Sequence, residues 1–337
     1  MDDVNLKLSI LDQSPVGEGD TQSDALRHTI ELAQKAEQWG YHRFWVAEHH
    51  NSERYVGSSP EVLMSHLLAN TNRIRIGSGG VMLQHYSPYK VAENFNVLAS
   101  LAPGRVDLGI GRGPGGLPRT TRALQQEFAA EAMPFRAKLV ELGQLLRDDL
   151  AETHQLYGLQ AKPVTSHPAD IILLGTTVSS AELAADLGIP YVFALFLNSD
   201  DAVMGQAVDA YRNNFNAAGG TRPEPMLALP IIVTDTDQEA AEYASEIKVV
   251  RITLESGRTL TVGSLEAAEE FGRQAQQTYT KEVFQGNVIH GSLETVRHQL
   301  KVIQHRYGIA EVIAVTYIKS FQKRLHSYEL LSQAFGQ

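Results

Sequence analysis

The chain has no cysteine among its 337 residues, which excludes disulfide bonds, zinc–thiolate sites, iron–sulfur clusters and a cysteine nucleophile. It also has no apolar run near the roughly 20 residues of a membrane span. Basic residues are fewer than acidic ones, 29 against 39, and form no cluster suited to nucleic acid. The acidic amino terminus has no secretion-signal pattern. We therefore expect a cytoplasmic protein that binds neither membranes nor nucleic acid.

What the chain does have is a regular alternation of short apolar runs and helical patterns. Eight strands are predicted, and seven of them are short, apolar and rich in Val, Ile or Leu, which suits a parallel sheet buried on both faces. They are predicted at 6–11, 43–47, 74–77, 105–110, 170–174, 191–197, 227–233 and 311–317. Eight β–α units in one chain favour a closed (β/α)₈ barrel, or TIM barrel, over an open sheet. No linker divides the chain, so one domain over 1–337 is predicted.

Helical spacing predicts helices between these strands. They fall at about 24–39, 60–70, 88–101, 127–150, 180–187, 202–217, 238–250, 293–307 and 322–333. Ser59-Pro60 and Ser87-Pro88 have the pattern of an N-cap followed by proline at the first helical position. The polar segment Ile252–His290 interrupts the alternation and indicates an insertion on a barrel loop. Its role is either surface decoration or a lid that excludes water.

The second strand ends in Glu48-His49-His50, where the loops of such barrels form the active site. Alternation along a strand directs Glu48 and His50 to one face and His49 to the other. The two histidines therefore do not suit one metal ion, and His85 is the only further candidate ligand nearby. We expect no metal site. The alternative to a functional cluster is a glutamate buried in the barrel with two histidines at its rim.

Glycines follow the third and fourth strands. Gly77-Ser78-Gly79-Gly80 indicates either a plain turn or a backbone that a flat ring approaches closely. Gly111-Arg112-Gly113 suits bidentate binding of a phosphate by the guanidinium, the alternative being an ion pair between Arg112 and a carboxylate such as Glu48. A dinucleotide-binding loop is excluded because Pro114 interrupts the glycine pattern and no acidic residue ends a second strand about 20 residues on.

The fifth strand leads into Gly175-Thr176-Thr177-Val178-Ser179. Ser179 and Glu182 have the spacing of a capping box, so Ser179 is either a helix cap or a ligand of an anion. A helix amino terminus with hydroxyl side chains beside it presents free N–H groups to a phosphate. Arg112 on the adjacent loop favours the phosphate site.

Taken together, these segments resemble the bacterial luciferase-like flavin monooxygenases, and in particular their single-chain members of uncertain substrate. The resemblance covers nearly the whole chain. It is carried by Leu11–Pro15, Gly40–His50, Ile76–Leu83, Leu108–Gly113 and Gly291–Val296. The segments AEHH (47–50) and GSGG (77–80), in this order, are its most specific part.

The resemblance implies a (β/α)₈ barrel with reduced FMN at its mouth. It implies a catalytic role for His49 and cofactor binding by Glu48, Ser78, Gly79, Gly80, Arg112, Gly175, Thr176 and Ser179. Gly79-Gly80 matches the position of a non-prolyl cis peptide under the flavin ring, and Arg112 matches the phosphate-binding arginine. The insertion Ile252–His290 lies where the family has its mobile loop. Luciferase proper has a cysteine at the position of Gly111 and an acidic residue at that of Gly175, so light emission is not implied.

The activity implied by the resemblance is a two-component monooxygenase. A flavin reductase would supply FMNH₂, and O₂ would oxidise a small organic substrate. Two alternatives stay open: an oxidoreductase that uses the deazaflavin F420 on the same barrel, and a flavin-binding protein without turnover. The family usually pairs through its second and third helices, here Pro60–Asn70 and Pro88–Leu101, so a homodimer is expected.

Overall fold

A computed structural model describes residues 6–125, 133–219, 225–255, 257, 259–275 and 277–336. The strands are β1 (Lys7–Asp12), β2 (Arg43–Val46), β3 (Arg75–Met82), β4 (Val106–Gly111), β5 (Asp170–Gly175), β6 (Tyr191–Ala194), β7 (Met226–Val233), β8 (Lys248–Leu254), β9 (Thr259–Val262), β10 (Tyr279–Gln285), β11 (Ile289–Gly291) and β12 (Glu311–Val315). The α-helices are α1 (Gln22–Gln38), α2 (Pro60–Asn70), α3 (Pro88–Leu101), α4 (Pro118–Leu124), α5 (Phe135–Arg147), α6 (Val178–Leu187), α7 (Asp201–Asn213), α8 (Asp237–Ser245), α9 (Leu265–Ala275), α10 (Leu293–Tyr307) and α11 (Phe321–Ala334).

The strands β1 to β7 and β12 form a closed ring. Each of β1 to β6 pairs in parallel with the next strand along the chain. The ring closes because β12 pairs in parallel with both β7 and β1. Helices cover the outside of this ring, and the short strand β11 extends the sheet at the carboxyl end of β7. The predicted (β/α)₈ barrel is therefore confirmed.

Alternation along the strands divides the buried side chains into two layers. Side chains such as Leu11, Trp45 and Ile313 pack with one another inside the ring. Their neighbours along the strands, such as Ile10 and Phe44, point outward and pack against the helices. This parity decides which residues after each strand face the lumen of the barrel and which face the helical layer.

A buried polar network closes the amino-terminal end of the barrel. Asp107 of β4 accepts hydrogen bonds from Arg43 Nη1 and Trp45 Nε1, each at 2.9 Å, and from Arg75 Nε at 2.9 Å. Glu311 of β12 accepts from Arg43 Nη2 at 3.1 Å. A cavity of about 480 Å³ opens beside this network, at the opposite end of the barrel from His49. In (β/α)₈ barrels this end usually contributes to stability, whereas the active site lies at the other end.

The predicted helices are found, with differences at their ends. Helices α2, α3 and α10 have the predicted bounds, and Pro60 and Pro88 are at the first turn as expected, although Ser59 and Ser87 make no side-chain cap bond. The predicted helix 127–150 is represented by α5, and its residues 127–132 lie outside the described residues. The helix α4 was not predicted. None of the described helices is long and apolar enough to cross a membrane.

The insertion has a structure of its own. It begins at Lys248. The sequence pattern assigned residues 248–250 to the preceding helix, whereas in the structure they belong to β8. Strands β8, β9 and β10 form an antiparallel sheet, on which Phe271 of α9 packs. We call residues 248–285 the insertion. It contacts two loops of the barrel mouth: Arg119 N donates to Gln274 Oε1 at 3.0 Å, and Arg54 Nη1 donates to the carbonyl of Gly263 at 2.9 Å.

Candidate active site

The sequence-predicted site residues follow four adjacent strands, β2 to β5, at their carboxyl ends. Parallel pairing brings these strand ends to one rim of the barrel. The rim therefore contains an imidazole after β2, a glycine-rich backbone within β3, a guanidinium after β4 and hydroxyl groups after β5.

His49 faces the lumen side of the rim, since it shares the parity of Trp45 and Ala47, which lie inside the ring. Its ring stacks on Tyr55, with centroids 4.7 Å apart and an interplanar angle of 26°. Its imidazole makes no hydrogen bond with the described residues, whereas its backbone N–H donates to Gly57 O at 2.7 Å. Burial, and to a smaller degree the adjacent His50, lower the pKa of His49 to about 4. At neutral pH the ring is therefore uncharged and able to accept a proton.

Glu48 has the opposite parity and points toward the helical layer. Its carboxylate is almost fully buried and accepts hydrogen bonds from Tyr86 Oη at 2.7 Å and from Met82 N at 2.9 Å. His50 Nε2 lies 2.7 Å from the same carboxylate. Burial beside Glu48 raises the pKa of the Tyr86 hydroxyl far above its usual range. Through these hydrogen bonds, Glu48 connects the end of β2 with the end of β3 and with the loop that contains Tyr86.

The peptide bond between Gly79 and Gly80 is cis, as the resemblance implied. Both glycines are also required by packing within the chain. A Cβ on Gly79 would lie 2.5 Å from Leu11 Cδ1 inside the ring, and one on Gly80 would lie 2.6 Å from the Gly109 carbonyl oxygen. Ser78 is fully buried, and its hydroxyl donates to the same carbonyl of Gly109 at 2.8 Å. The side chain of Ser78 is therefore used within the barrel wall.

Arg112 is exposed, and its guanidinium carbon lies 6.0 Å from the centre of the Phe135 ring. It forms no ion pair with any described carboxylate. In particular, it does not pair with Glu48, whose oxygens are occupied by His50, Tyr86 and Met82 N. Among the described residues, Arg112 therefore has no carboxylate partner, and its donors are open to an anion.

The cap of α6 is Thr177 and not Ser179. Thr177 Oγ1 accepts from Ser180 N at 3.2 Å, and the Ser180 hydroxyl in turn lies 3.2 Å from Thr177 N. Ser179 is consequently the second residue of the helix, exposed at its amino end. The close approach of the Ser180 side chain explains Gly175, where a Cβ would collide with it. Thr176 precedes the cap, and its carbonyl accepts from Asn198 Nδ2 at 2.9 Å.

The donor set at the rim fits a phosphate. The groups that suit such an anion are the helix amino terminus, the exposed Ser179 hydroxyl, which lies 3.0 Å from Thr177 Oγ1, and the guanidinium of Arg112 on the neighbouring strand end, which pairs with no described carboxylate. Within the described ranges, no group of three histidine or carboxylate side chains could hold a metal ion. Sequence reasoning missed Tyr55, Tyr86 and Thr177, of which only Thr177 had a signal, its N-cap residue type three positions before Ser180.

Barrel and rim together define a (β/α)₈ protein with donor groups suited to an anion at its mouth. The sequence model of the luciferase-like monooxygenases matches residues 6–311, and the chain belongs to that family. It is 43% identical, over 329 residues and 98% of both chains, to the N-acetyl-S-alkylcysteine monooxygenase of Bacillus subtilis (strain 168). The predicted family is therefore confirmed.

Solved structures agree on the fold. The crystal structure of apo-MsnO8 superposes with a TM-score of 0.81 at 34% identity, over 99% of this chain and 98% of that one. The FMN complex of the oxygenating constituent of 3,6-diketocamphane monooxygenase from Pseudomonas putida has a TM-score of 0.68 at 15% identity, with 97% of each chain covered. An F420-dependent secondary alcohol dehydrogenase has a TM-score of 0.65 at 15% identity, covering 98% of this chain and 99% of that one. FMN and F420 thus both occur on this fold.

Proposed function

We propose that this protein is an FMN-dependent, two-component monooxygenase that acts on small thioethers related to N-acetyl-S-alkylcysteines. A separate flavin reductase supplies FMNH₂, which provides two electrons. One oxygen atom of O₂ enters the substrate and the other leaves as water. The observation that supports the proposal is the candidate anion site formed by Arg112 and the amino end of α6. The barrel that contains this site belongs to the luciferase-like monooxygenase family. The substrate class is taken from the relative that is 43% identical.

Different residues of the rim would bind different parts of the cofactor. Arg112, Ser179 and the α6 amino terminus would hold the phosphate of FMN, and the backbone at Gly79-Gly80 would lie along the ring system. When bound, the reduced flavin supplies the electrons and the activation of oxygen. The insertion would close over the mouth and exclude water, which protects such chemistry from side reactions.

His49 is proposed as the catalytic base. Because its pKa is lowered to about 4, the imidazole is neutral near pH 7 and can accept a proton at the lumen side of the rim. The same property makes the neutral imidazole a weak base before a ligand binds. An anionic group brought close to His49 would raise this pKa and let the residue return the proton later in the cycle.

Oxygen transfer provides the test. We expect the protein, supplied with FMNH₂ by an unrelated NADH-dependent reductase, to consume N-acetyl-S-benzylcysteine and to incorporate label from isotopically labelled O₂. Mass spectrometry of the product measures the incorporation, and catalase is present to remove free peroxide. Oxygen uptake that yields only peroxide, with the thioether unchanged, would contradict the proposed substrate and support flavin binding without turnover.

The cofactor needs a separate arm. We expect FMNH₂ to support turnover with O₂. We expect F420H₂, supplied at the same concentration without O₂, to stay reduced in the presence of candidate carbonyl substrates. Consumption of F420H₂ in place of FMNH₂ would assign the chain to the deazaflavin-dependent enzymes of this fold.

A further inference from the structure

Arg54 lies in the loop between β2 and α2 and has no carboxylate of the described residues within ion-pair distance. Of its donors, Nη1 is engaged by the Gly263 carbonyl at 2.9 Å. Glu266 of α9 is close enough to be influenced by the charge of Arg54. Its pKa is lowered chiefly by hydrogen bonds with its own backbone and with Ser264, and least by Arg54. A positive charge with free N–H donors is thus left at the junction of the barrel mouth and the insertion.

The backbone around Arg54 is held firmly in place. Val16 N donates to Arg54 O at 2.9 Å, which ties the loop to the segment after β1. The Ser52 hydroxyl accepts from Arg54 N at 3.1 Å and from Tyr55 N at 3.2 Å. On the side of the insertion, Gly263 approaches so closely that a Cβ there would lie 3.0 Å from Arg54 Nη1. The barrel thus fixes the backbone of Arg54, and the insertion holds its guanidinium through Nη1.

A row of rings connects Arg54 with the proposed base. The guanidinium carbon lies 5.6 Å from the centre of the Tyr55 ring, and Tyr55 stacks on His49 at 4.7 Å. These two spacings limit the distance from the guanidinium carbon to the His49 ring to about 10 Å. A ligand that touches Arg54 is thus within one small molecule's length of His49.

The surroundings of this row are apolar and aromatic. The buried hydroxyl of Tyr317, after β12, is close enough to Tyr55 and Arg54 to be influenced by both. Tyr317 also lines a small cavity with Phe196 and Leu197 of the barrel and Val249 of β8. An anionic group joined to an apolar body matches this arrangement, with the anion at Arg54 and the apolar part along the rings.

We propose that Arg54 selects the substrate by binding its carboxylate, so that the enzyme oxidises thioether carboxylic acids in preference to uncharged thioethers. This inference rests on the proposed function for its substrate class. Three covalent bonds separate the carboxylate carbon of an S-alkylcysteine from its sulfur, so the sulfur lies alongside the Tyr55–His49 stack when Arg54 holds the carboxylate. Under the proposed function, the guanidinium of Arg112 is assigned to the cofactor phosphate. Arg251 of the insertion lies over the Phe284 ring at 4.6 Å.

The test compares two ligands and two variants. The ligands are N-acetyl-S-benzylcysteine and its decarboxylated analogue, which keeps the thioether and the acetamide and lacks the carboxylate. Arg54→Met removes the charge and keeps the length of the side chain. Arg273→Met is the matched control, since Arg273 belongs to the insertion, is 73% exposed and pairs with Glu270 on its own helix. Dissociation constants are measured by calorimetry on FMN-loaded protein, and kcat/KM is measured with FMNH₂.

We expect Arg54→Met to weaken binding of the acid by roughly 10- to 100-fold and to change binding of the neutral analogue less than about twofold. Arg273→Met should change neither. Equal losses for both ligands would overturn the proposal and assign Arg54 to holding the insertion alone. Wild-type protein that binds the acid no better than the analogue would overturn it as well. Selective binding of the acid without its oxidation would leave the role of Arg54 intact and refute the proposed activity.

Discussion

The charge of Arg112 pairs with no carboxylate of the described residues, and this makes it the sharpest test of cofactor binding at the level of one side chain. If it holds the FMN phosphate, Arg112→Met should weaken FMN binding by roughly 10- to 100-fold, the usual worth of a charge-assisted hydrogen-bonded contact. Riboflavin has the same ring system without the phosphate, and its affinity should be unchanged. Fluorescence quenching of each flavin measures both constants. Equal weakening for the two flavins would show that Arg112 acts elsewhere.

The lowered pKa of His49 predicts a pH dependence of stability. The folded protein keeps His49 neutral down to about pH 4, whereas the unfolded chain protonates it near 6.5. Between these values the unfolded state binds more protons, so stability falls as the pH falls, by about 3 kcal/mol at most. Denaturant unfolding of wild type and of His49→Gln from pH 8 to pH 4 measures this as a difference. A constant difference over that range would contradict the lowered pKa.

For single residues, the sequence predicted their places at the strand ends better than the side chains that they contact. His49, Arg112 and the cis peptide at Gly79-Gly80 followed from strand ends and from the family resemblance. The stacking of His49 on Tyr55 did not follow, because it depends on how the intervening loop folds back against the segment that follows β1. The cap of α6 was assigned to Ser179 by its spacing from Glu182, and the structure gives it to Thr177 because the helix starts two residues earlier.

Secondary-structure elements are tied together at the amino-terminal end of the barrel by Asp107. This carboxylate on β4 accepts hydrogen bonds from Arg43 and Trp45 of β2 and from Arg75 of β3, and it is fully buried. Asp107→Asn leaves buried cations short of a partner and should lower the free energy of unfolding by about 3–5 kcal/mol.

Asp170 provides the control for that variant. It also pairs with Arg75, but its side chain is 66% exposed, so Asp170→Asn should cost less than about 1 kcal/mol. Urea unfolding measures both variants, and neither should alter FMN affinity, since the site is at the other end of the barrel. Similar losses from the two substitutions would contradict the importance of burial.

Element bounds were predictable where local signals are strong. Pro60 and Pro88 mark the starts of α2 and α3 as predicted, because proline suits the first helical turn. The start of the insertion was misplaced, because Val249-Val250 is too short an apolar pair for its period to separate helix from strand. Residues 248–250 are a strand because they pair with β10, and Val250 pairs with β9 as well.

The assembled molecule exposes apolar side chains on the two helices expected to pair. Val62 of α2 is 67% exposed, and Leu101 and Val97 of α3 are 70% and 44% exposed. If these helices form a dimer interface, Leu101→Lys should weaken association at least tenfold, because a charge is costly in the centre of an interface. Val302→Lys, at a site 51% exposed on α10, should not. Light scattering over a range of micromolar concentrations measures the association, and a monomeric wild type would contradict the prediction.

The overall architecture followed from counting strands, because eight parallel strands buried on both faces close readily into a ring. The contacts of the insertion with the barrel could not be predicted by counting strands. They are made by Arg54 and Arg119, whose positions depend on loops without a sequence pattern.

The closure of the barrel also constrains how the chain folds. Strand β1 pairs with β12, and Ser9 donates to Glu311 at 2.6 Å across 302 residues of chain. During synthesis, β1 and β2 leave the ribosome long before the strand that completes their sheet. One edge of the sheet therefore stays open until the last strand is made, and exposed edges attract other chains. Folding of this protein should depend on the rate of translation and on chaperones more strongly than its stability once folded would suggest.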